Sequence, residues 1–240
     1  MISELTFIKE NNTFWQNLLP GSDQYIRLVN SVILSEVYKP LEIEESPERR
    51  VLTNNISFAL FRMLIRNELK VEELADFDYN TDSAKKIISK EIFKLSSIRL
   101  REQLVLEINS EEKLVIEKLS KRLYDYYSNK EQVVVHPYFE GCGFLNAAEG
   151  DVLYNSTLSE VKSGNSKFKI RDLRQLFTYL ALNFANKTKF NITHIELFNP
   201  RRGEQWIDNV EDLAYKLAAC SLQDLLNEII IFISDEFKSI

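Results

Sequence analysis

The chain has 240 residues, 45% hydrophobic and 28% charged, with a formal net charge of −6. That length accommodates one large or two small domains and buries about 70–75% of its unfolded surface without disulfide or metal staples. The acidic balance argues against a non-specific coat on nucleic acid, for which a basic chain is expected, and no apolar run reaches the ~18 residues of a membrane helix.

Residues 1–108 read as helical. The opening MISELTFIKENN carries acids and no basic-then-apolar pattern, so no signal peptide is expected. Ser22 or Asp23 caps a segment with Tyr25, Ile26, Val29, Ile33 and Val37 at helical spacing, and Pro40 stops it. A charged connector broken by Pro47 follows. The next helix carries Ile56, Leu60, Met63 and Leu64 on one face, with Arg62, Arg66 and Glu68 off it. After a turn-like stretch at 76–82, a third segment carries Ile88, Ile92, Leu95 and Leu106 among lysines and arginines.

Asn109 with Glu112 three residues on is a capping-box start. The helix behind it presents Leu114, Ile116, Leu119, Leu123 and Tyr126. EQVVVHP, ending in His136-Pro137, reads as a short β-branched strand, and the segment to Gly150 as irregular. Four of the six glycines fall between Gly141 and Gly164, which concentrates tight turns there.

Within that region, GDVLYNSTLSEVKSG (residues 150–164) reads as strand, turn, strand, with Asn155-Ser156 at the turn. Glu160 and Lys162 are two apart, so both project from one face of the second strand, while Asp151 lies on the first. The two carboxylates and the Val161 carbonyl are the hard oxygen ligands that Mg²⁺ or Mn²⁺ prefers. Glu149, two positions before Asp151 on the same predicted face, competes for the role of first acid. Asp151 is favoured because it begins the apolar strand.

A helix from Ile170 follows, with Gln175 and Tyr179 four apart on one stripe and Leu173, Phe177 and Leu180 on a nearly opposite one. Lys167, Lys169, Arg171 and Arg174 around its start form a local basic strip suited to a nucleic-acid backbone. ITHIELFNP is a strand, Arg201 and Arg202 lie in the turn after it, and Trp206-Ile207 begins a last strand. One or two apolar helices close the chain. The Arg201–Arg202 turn is open to two readings, substrate contact or a charged turn. His136 and His194 are the only histidines, which leaves Ser-His-Asp and Cys-His chemistry poorly supported, and no G-x-x-x-x-G-K loop is present. Cys142 and Cys220 form neither a C-x-x-C pair nor a disulfide framework, so a reducing cytoplasm is the expected compartment.

Gly-Asp-Val, then Glu-Val-Lys, then Q-x-x-x-Y on the following helix resembles the RecB-like branch of the PD-(D/E)xK nuclease superfamily. The resemblance covers residues 109–240 and departs from the pattern at Gly150. It implies an α+β fold: a helical domain at 1–108, then a restriction-endonuclease-like core of mixed sheet flanked by helices at 109–240. It further implies a Mg²⁺- or Mn²⁺-dependent nuclease acting on DNA, with Asp151 and Glu160 holding metal, Lys162 catalytic, and Gln175 and Tyr179 supporting the carboxylates. The iron–sulfur cluster of some such nucleases is excluded, because four thiolates are not available. The helical half would serve recognition, homodimerisation or docking to an ATPase or helicase, in the setting of restriction or anti-phage defence. The alternative readings are an inactive nuclease-like scaffold or DNA-binding module, and an RNA-processing nuclease.

Overall fold

A computed structural model describes residues 1–43, 46–94 and 107–235. Three short helices, α1 (Glu4–Glu10), α2 (Asn12–Leu18) and α3 (Ser22–Leu28), open the chain. The third widens into a π turn over Val29–Ile33 and ends seven residues before Pro40, because residues 35–36 are taken into a sheet as β1 (Ser35–Glu36). Two longer helices follow, α4 (Arg50–Ile65) and α5 (Asp82–Lys94). The side chain of Ile92, and Leu95 and Leu106 altogether, lie outside what is described. The helix α6 (Ser110–Tyr127) starts with the expected capping box: the Asn109 side chain accepts from the Glu112 N–H, and the Glu112 carboxylate accepts from the Asn109 N–H.

The strands are β2 (Val134–Val135), β3 (Tyr138–Phe139), β4 (Ala148–Glu149), β5 (Val152–Tyr154), β6 (Thr157–Val161), β7 (His194–Asn199) and β8 (Glu204–Asn209). Helix α7 (Ile170–Ala185) connects β6 to β7, and α8 (Val210–Ala218) and α9 (Leu222–Ser234) close the chain. Six strands form one mixed sheet in the order β1-β8-β7-β6-β5-β2, in which only β6 and β7 run parallel; β3 and β4 make a separate ribbon. The fold class is α+β. The parallel pair is joined through α7, the crossover that parallel strands require. Asn155 and Ser156 both take positive φ, 42° and 63°, so the β5–β6 turn is a primed one even without glycine.

Residue alternation sends the two faces of the sheet to different helices. Leu153, Leu158, Ile195, Leu197 and Trp206 face the core shared with α7, α8 and α9. Val152, Tyr154 and Phe198 face α4 and α6 through Phe61, Leu123 and Tyr127. On that second face Glu196 is fully buried, accepting hydrogen bonds from Tyr126, Tyr154 and Gln205.

Residues 1–108 do not form the separate unit expected of them. Phe7, Trp15, Leu19, Ile26 and Val29 are buried in the same core as Leu173, Phe177 and Ile195, and β1 extends the sheet by pairing with β8. Helices α1–α3 are each seven residues long, too short to be stable alone, so they bury their apolar faces against the sheet domain. A second cluster does join α4 and α5 through Leu52, Ile56, Leu60 and Ile88, but Ile116 of α6 belongs to it, across the expected boundary. Among the described residues no single helix is long and apolar enough to cross a membrane; α8 and α9 approach that only as a pair bent by 71°.

Candidate active site

The site is built on the β5–β6 hairpin. The register pairs Val152 with Ser159, and one step further along the antiparallel ladder sets Asp151 opposite Glu160. Both side chains then share the sheet face turned toward α7. Asp151 accepts a hydrogen bond from the Val161 N–H at 2.7 Å. Because the N–H and C=O of a strand residue leave the backbone on the same side, the Val161 carbonyl is also turned toward β5. Glu160 is 5% exposed. Burial first, and then the neighbouring Asp151, push its carboxyl up to about 8, although Lys162 acts the other way. Burial raises Asp151 as well, against the pull of Lys162. The pair therefore shares a proton at neutral pH unless a cation offsets its charge.

Lys162 joins the hairpin to α7. Its Nζ donates to Glu160 Oε1 at 2.9 Å and to Gln175 Oε1 at 2.8 Å, and Gln175 Nε2 donates to the Tyr179 hydroxyl at 2.7 Å. A lysine only donates, which settles the orientation of the Gln175 amide. Gln175 and Tyr179 are thus brought to the site, but they support the lysine rather than the carboxylates. Both are buried, and Tyr179 stacks on Phe139 at 5.5 Å. The apolar stripe of α7 is buried too, so the helix is enclosed on both sides. Asp172, which sequence reasoning missed, lies 3.6 Å from Lys162 Nζ and caps its helix by accepting from the Lys169 N–H. At 3.6 Å it does not consume the third donor of Lys162, and Lys162 itself lines the cleft. The ion pairs outweigh burial and keep Lys162 above its ordinary value, hence charged.

A cleft of about 410 Å³ lies over these groups. Asp151, Lys162 and Asp172 line its floor; Lys167, Lys169 and Arg171 line it from the β6–α7 loop and the start of α7. Its other wall is α4, with Asn54, Asn55, Phe58 and Arg62. No periodicity could have announced α4 as a wall, since only tertiary packing carries it there. His136 lies in the cleft with positive φ, 60°, and its ring is 5.3 Å from that of Phe58. A left-handed residue before proline is disfavoured twice over, and such strain is found at functional sites.

Two expected members are not in the cleft. Arg174 is buried, with Nη1 donating to Asn12 Oδ1 at 2.9 Å; one turn along α7 from the exposed Arg171, it points under α2 instead of at a ligand. Glu149 is 60% exposed on β4, with its carboxylate 3.7 Å from His136 Nδ1, and it does not line the cleft. The β7–β8 turn is structural. Arg201 is 4% exposed, and its Nε donates to Ser163 O while Nη2 donates to Asn54 Oδ1, both at 2.8 Å. Asn199 and Arg202 hold the next two loop carbonyls, those of Gly164 and Asn165. Gly203, at φ 70°, permits the turn to pack where a Cβ would collide with Tyr38 O at 1.8 Å.

Among the described residues no group of three or more His, Cys, Asp or Glu side chains converges as a metal cage. The oxygen pair Asp151 and Glu160 does fit a hard dication, because Mg²⁺ is commonly held by one or two carboxylates with water and substrate phosphate completing its shell. The two carboxylates face each other across the hairpin with Lys162 Nζ 2.9 Å from Glu160 Oε1, so the donor chemistry of the pair, hard oxygens on one sheet face, is what suits such an ion. No protein-family model and no curated protein matches the chain.

Proposed function

We propose that the protein is a metal-dependent nuclease that hydrolyses DNA phosphodiester bonds. The observation that carries this reading is the buried Glu160 opposite Asp151, with Lys162 clamped between Glu160 and Gln175 under a cleft lined by cations. Asp151, Glu160 and the Val161 carbonyl would hold Mg²⁺ or Mn²⁺, which when bound supplies Lewis-acid polarisation of phosphate and water. The third N–H of Lys162 would orient water or offset charge gathering on the phosphoryl oxygens. Gln175 and Tyr179 keep that ammonium in place, so little reorganisation is needed during the reaction. Lys167, Lys169 and Arg171 take the flanking phosphates. The water oxygen would form the new P–O bond as the bond from phosphorus to one deoxyribose oxygen breaks, and the proton that water gives up would pass to that departing oxygen, which leaves as a hydroxyl.

Lys162→Ala tests the reading. An interaction made in the transition state lowers rate far more than ground-state affinity. Single-turnover cleavage with Mg²⁺ or Mn²⁺ should fall about 10²-fold or more, with DNA affinity in EDTA changed by no more than one exposed phosphate contact. Cleavage persisting at near the wild-type rate would sink the assignment. Absence of any metal-dependent cleavage by the wild type would favour a binding module.

A further inference from the structure

We propose that the cleft admits a single strand, with one unpaired base against Phe58 and His136, so that paired DNA is cut only where it is opened. The inference rests on the nuclease reading of the same site. It starts from α4, which belongs to the half of the chain outside the hairpin and its helix yet forms one entire wall of the cleft. Opposite it runs the 163–169 loop. Arg201 bonds to both, through Asn54 on α4 and Ser163 on the loop, and Asn199 holds Gly164. The walls are therefore fixed to the same β7–β8 turn, and the cleft keeps its width.

Asp151 and Lys162 stand between these walls, the Lys162 side chain 25% exposed, and Glu160, 5% exposed, lies beneath them outside the cleft lining. The volume of about 410 Å³ falls within the ~300–1,000 Å³ of sites that enclose one drug-sized molecule, which is on the scale of a nucleotide. A duplex is stiff over roughly 150 base pairs and presents its phosphates on a continuous stacked cylinder, so it rests on the rims of such a cleft. A single strand bends freely and can lower one phosphate to Lys162. The chemistry of the walls fits that occupant. Phe58 is half-buried, packed edge-on against Phe61 at 5.4 Å and tilted against His136 at 5.3 Å, which leaves an aromatic surface on the cleft for a base. Asn55 offers an amide for base edges. Arg62, whose guanidinium makes no hydrogen bond or ion pair among the described residues, stands with Lys167, Lys169 and Arg171 for the phosphates. Aromatic faces interleaved with cations are how sequence-tolerant single-strand sites are built.

The test uses the full chain with Mn²⁺ and three labelled DNAs of one sequence: a single strand, a blunt duplex, and a duplex with a short single-strand gap. The single strand should be cut, the gapped duplex cut only across the gap, and the blunt duplex at least about 10-fold more slowly, since each opened base pair costs free energy. A blunt duplex cut as fast as the single strand overturns the inference and leaves the nuclease reading standing. If no DNA is cut, the nuclease reading fails, and anisotropy titrations in EDTA then decide: tighter binding of the single strand upholds the occupant of the cleft, and equal binding overturns it. Phe58→Leu should weaken single-strand binding about 5-fold or more, whereas Phe58→Tyr keeps the ring and should bind like wild type. Equal binding by both variants would remove the stacking contact from the proposal.

Discussion

Replacing Glu160 by glutamine should remove the pH dependence of stability that the buried carboxyl contributes at this site. In the metal-free protein the Glu160 carboxyl is held at about 8 instead of 4.5, chiefly by burial and then by Asp151. The folded pKa lies above the unfolded one, so the folded state binds the extra proton across that window. The stability this contributes is complete below about pH 4.5 and is lost as pH rises through about 8. At about 1.4 kcal/mol per unit the ceiling is roughly 4–5 kcal/mol. Because Asp151 shares the proton, about 2 kcal/mol is expected between near pH 6 and near pH 9. Glutamine keeps an oxygen for the Lys162 ammonium, which donates to Glu160 Oε1 at 2.9 Å, and carries no charge. Urea unfolding of both proteins in EDTA across that range measures the difference, and groups common to both cancel. The two should be most nearly equal at the acid end of the range, and Glu160→Gln should gain steadily on wild type as pH rises. Excess Mn²⁺ should close the gap by stabilising wild type alone. A wild-type-minus-variant difference that stays constant with pH would refute the burial argument, and equal stabilisation of both by Mn²⁺ would refute the ligand assignment.

Gln175→Leu removes the acceptor that holds Lys162 and should lower the cleavage rate about 10- to 100-fold, the range for supporting contacts in metal sites; an unchanged rate would show that the clamp is dispensable. Arg201→Met leaves the Ser163 carbonyl and Asn54 amide without their shared donor, so urea unfolding should show a loss of about 1–3 kcal/mol, with faster hydrogen exchange at residues 163–166. A fragment spanning residues 109–240 loses the cover of Phe7, Trp15, Leu19 and Ile26 over the sheet core; it should lack a cooperative thermal transition, and a sharp one would restore an independent domain.

From residue 109 most of the order was legible because most elements carry a local signature; the stretch before Gly150, read as irregular, instead holds the β3–β4 ribbon, whose two-residue strands are too short to show alternation. The Asn109–Glu112 box, the Asn155-Ser156 turn and the strand of residues 194–199 all form where their residues alone place them. So does the shared face of Asp151, Glu160 and Lys162, since alternation along a strand is a property of the backbone and antiparallel pairing follows from a two-residue turn. What a helix packs against has no such local signature. Periodicity sorted α7 into two stripes but could not show that both are buried, that Gln175 reaches Lys162, or that Arg174 turns to Asn12 while Arg171 stays exposed. Likewise, the largely helical character of the described residues before Asn109 was readable, yet β1 and their division were not. Helices α1–α3 cover the sheet, and α4 carries Asn54, Phe58 and Arg62 to the cleft, through contacts between residues far apart in sequence, such as Ser57 with Ser120, 63 positions on. Local physics decided that Asp151, Glu160 and Lys162 meet on one face of the hairpin; only long-range packing decided what stands over them.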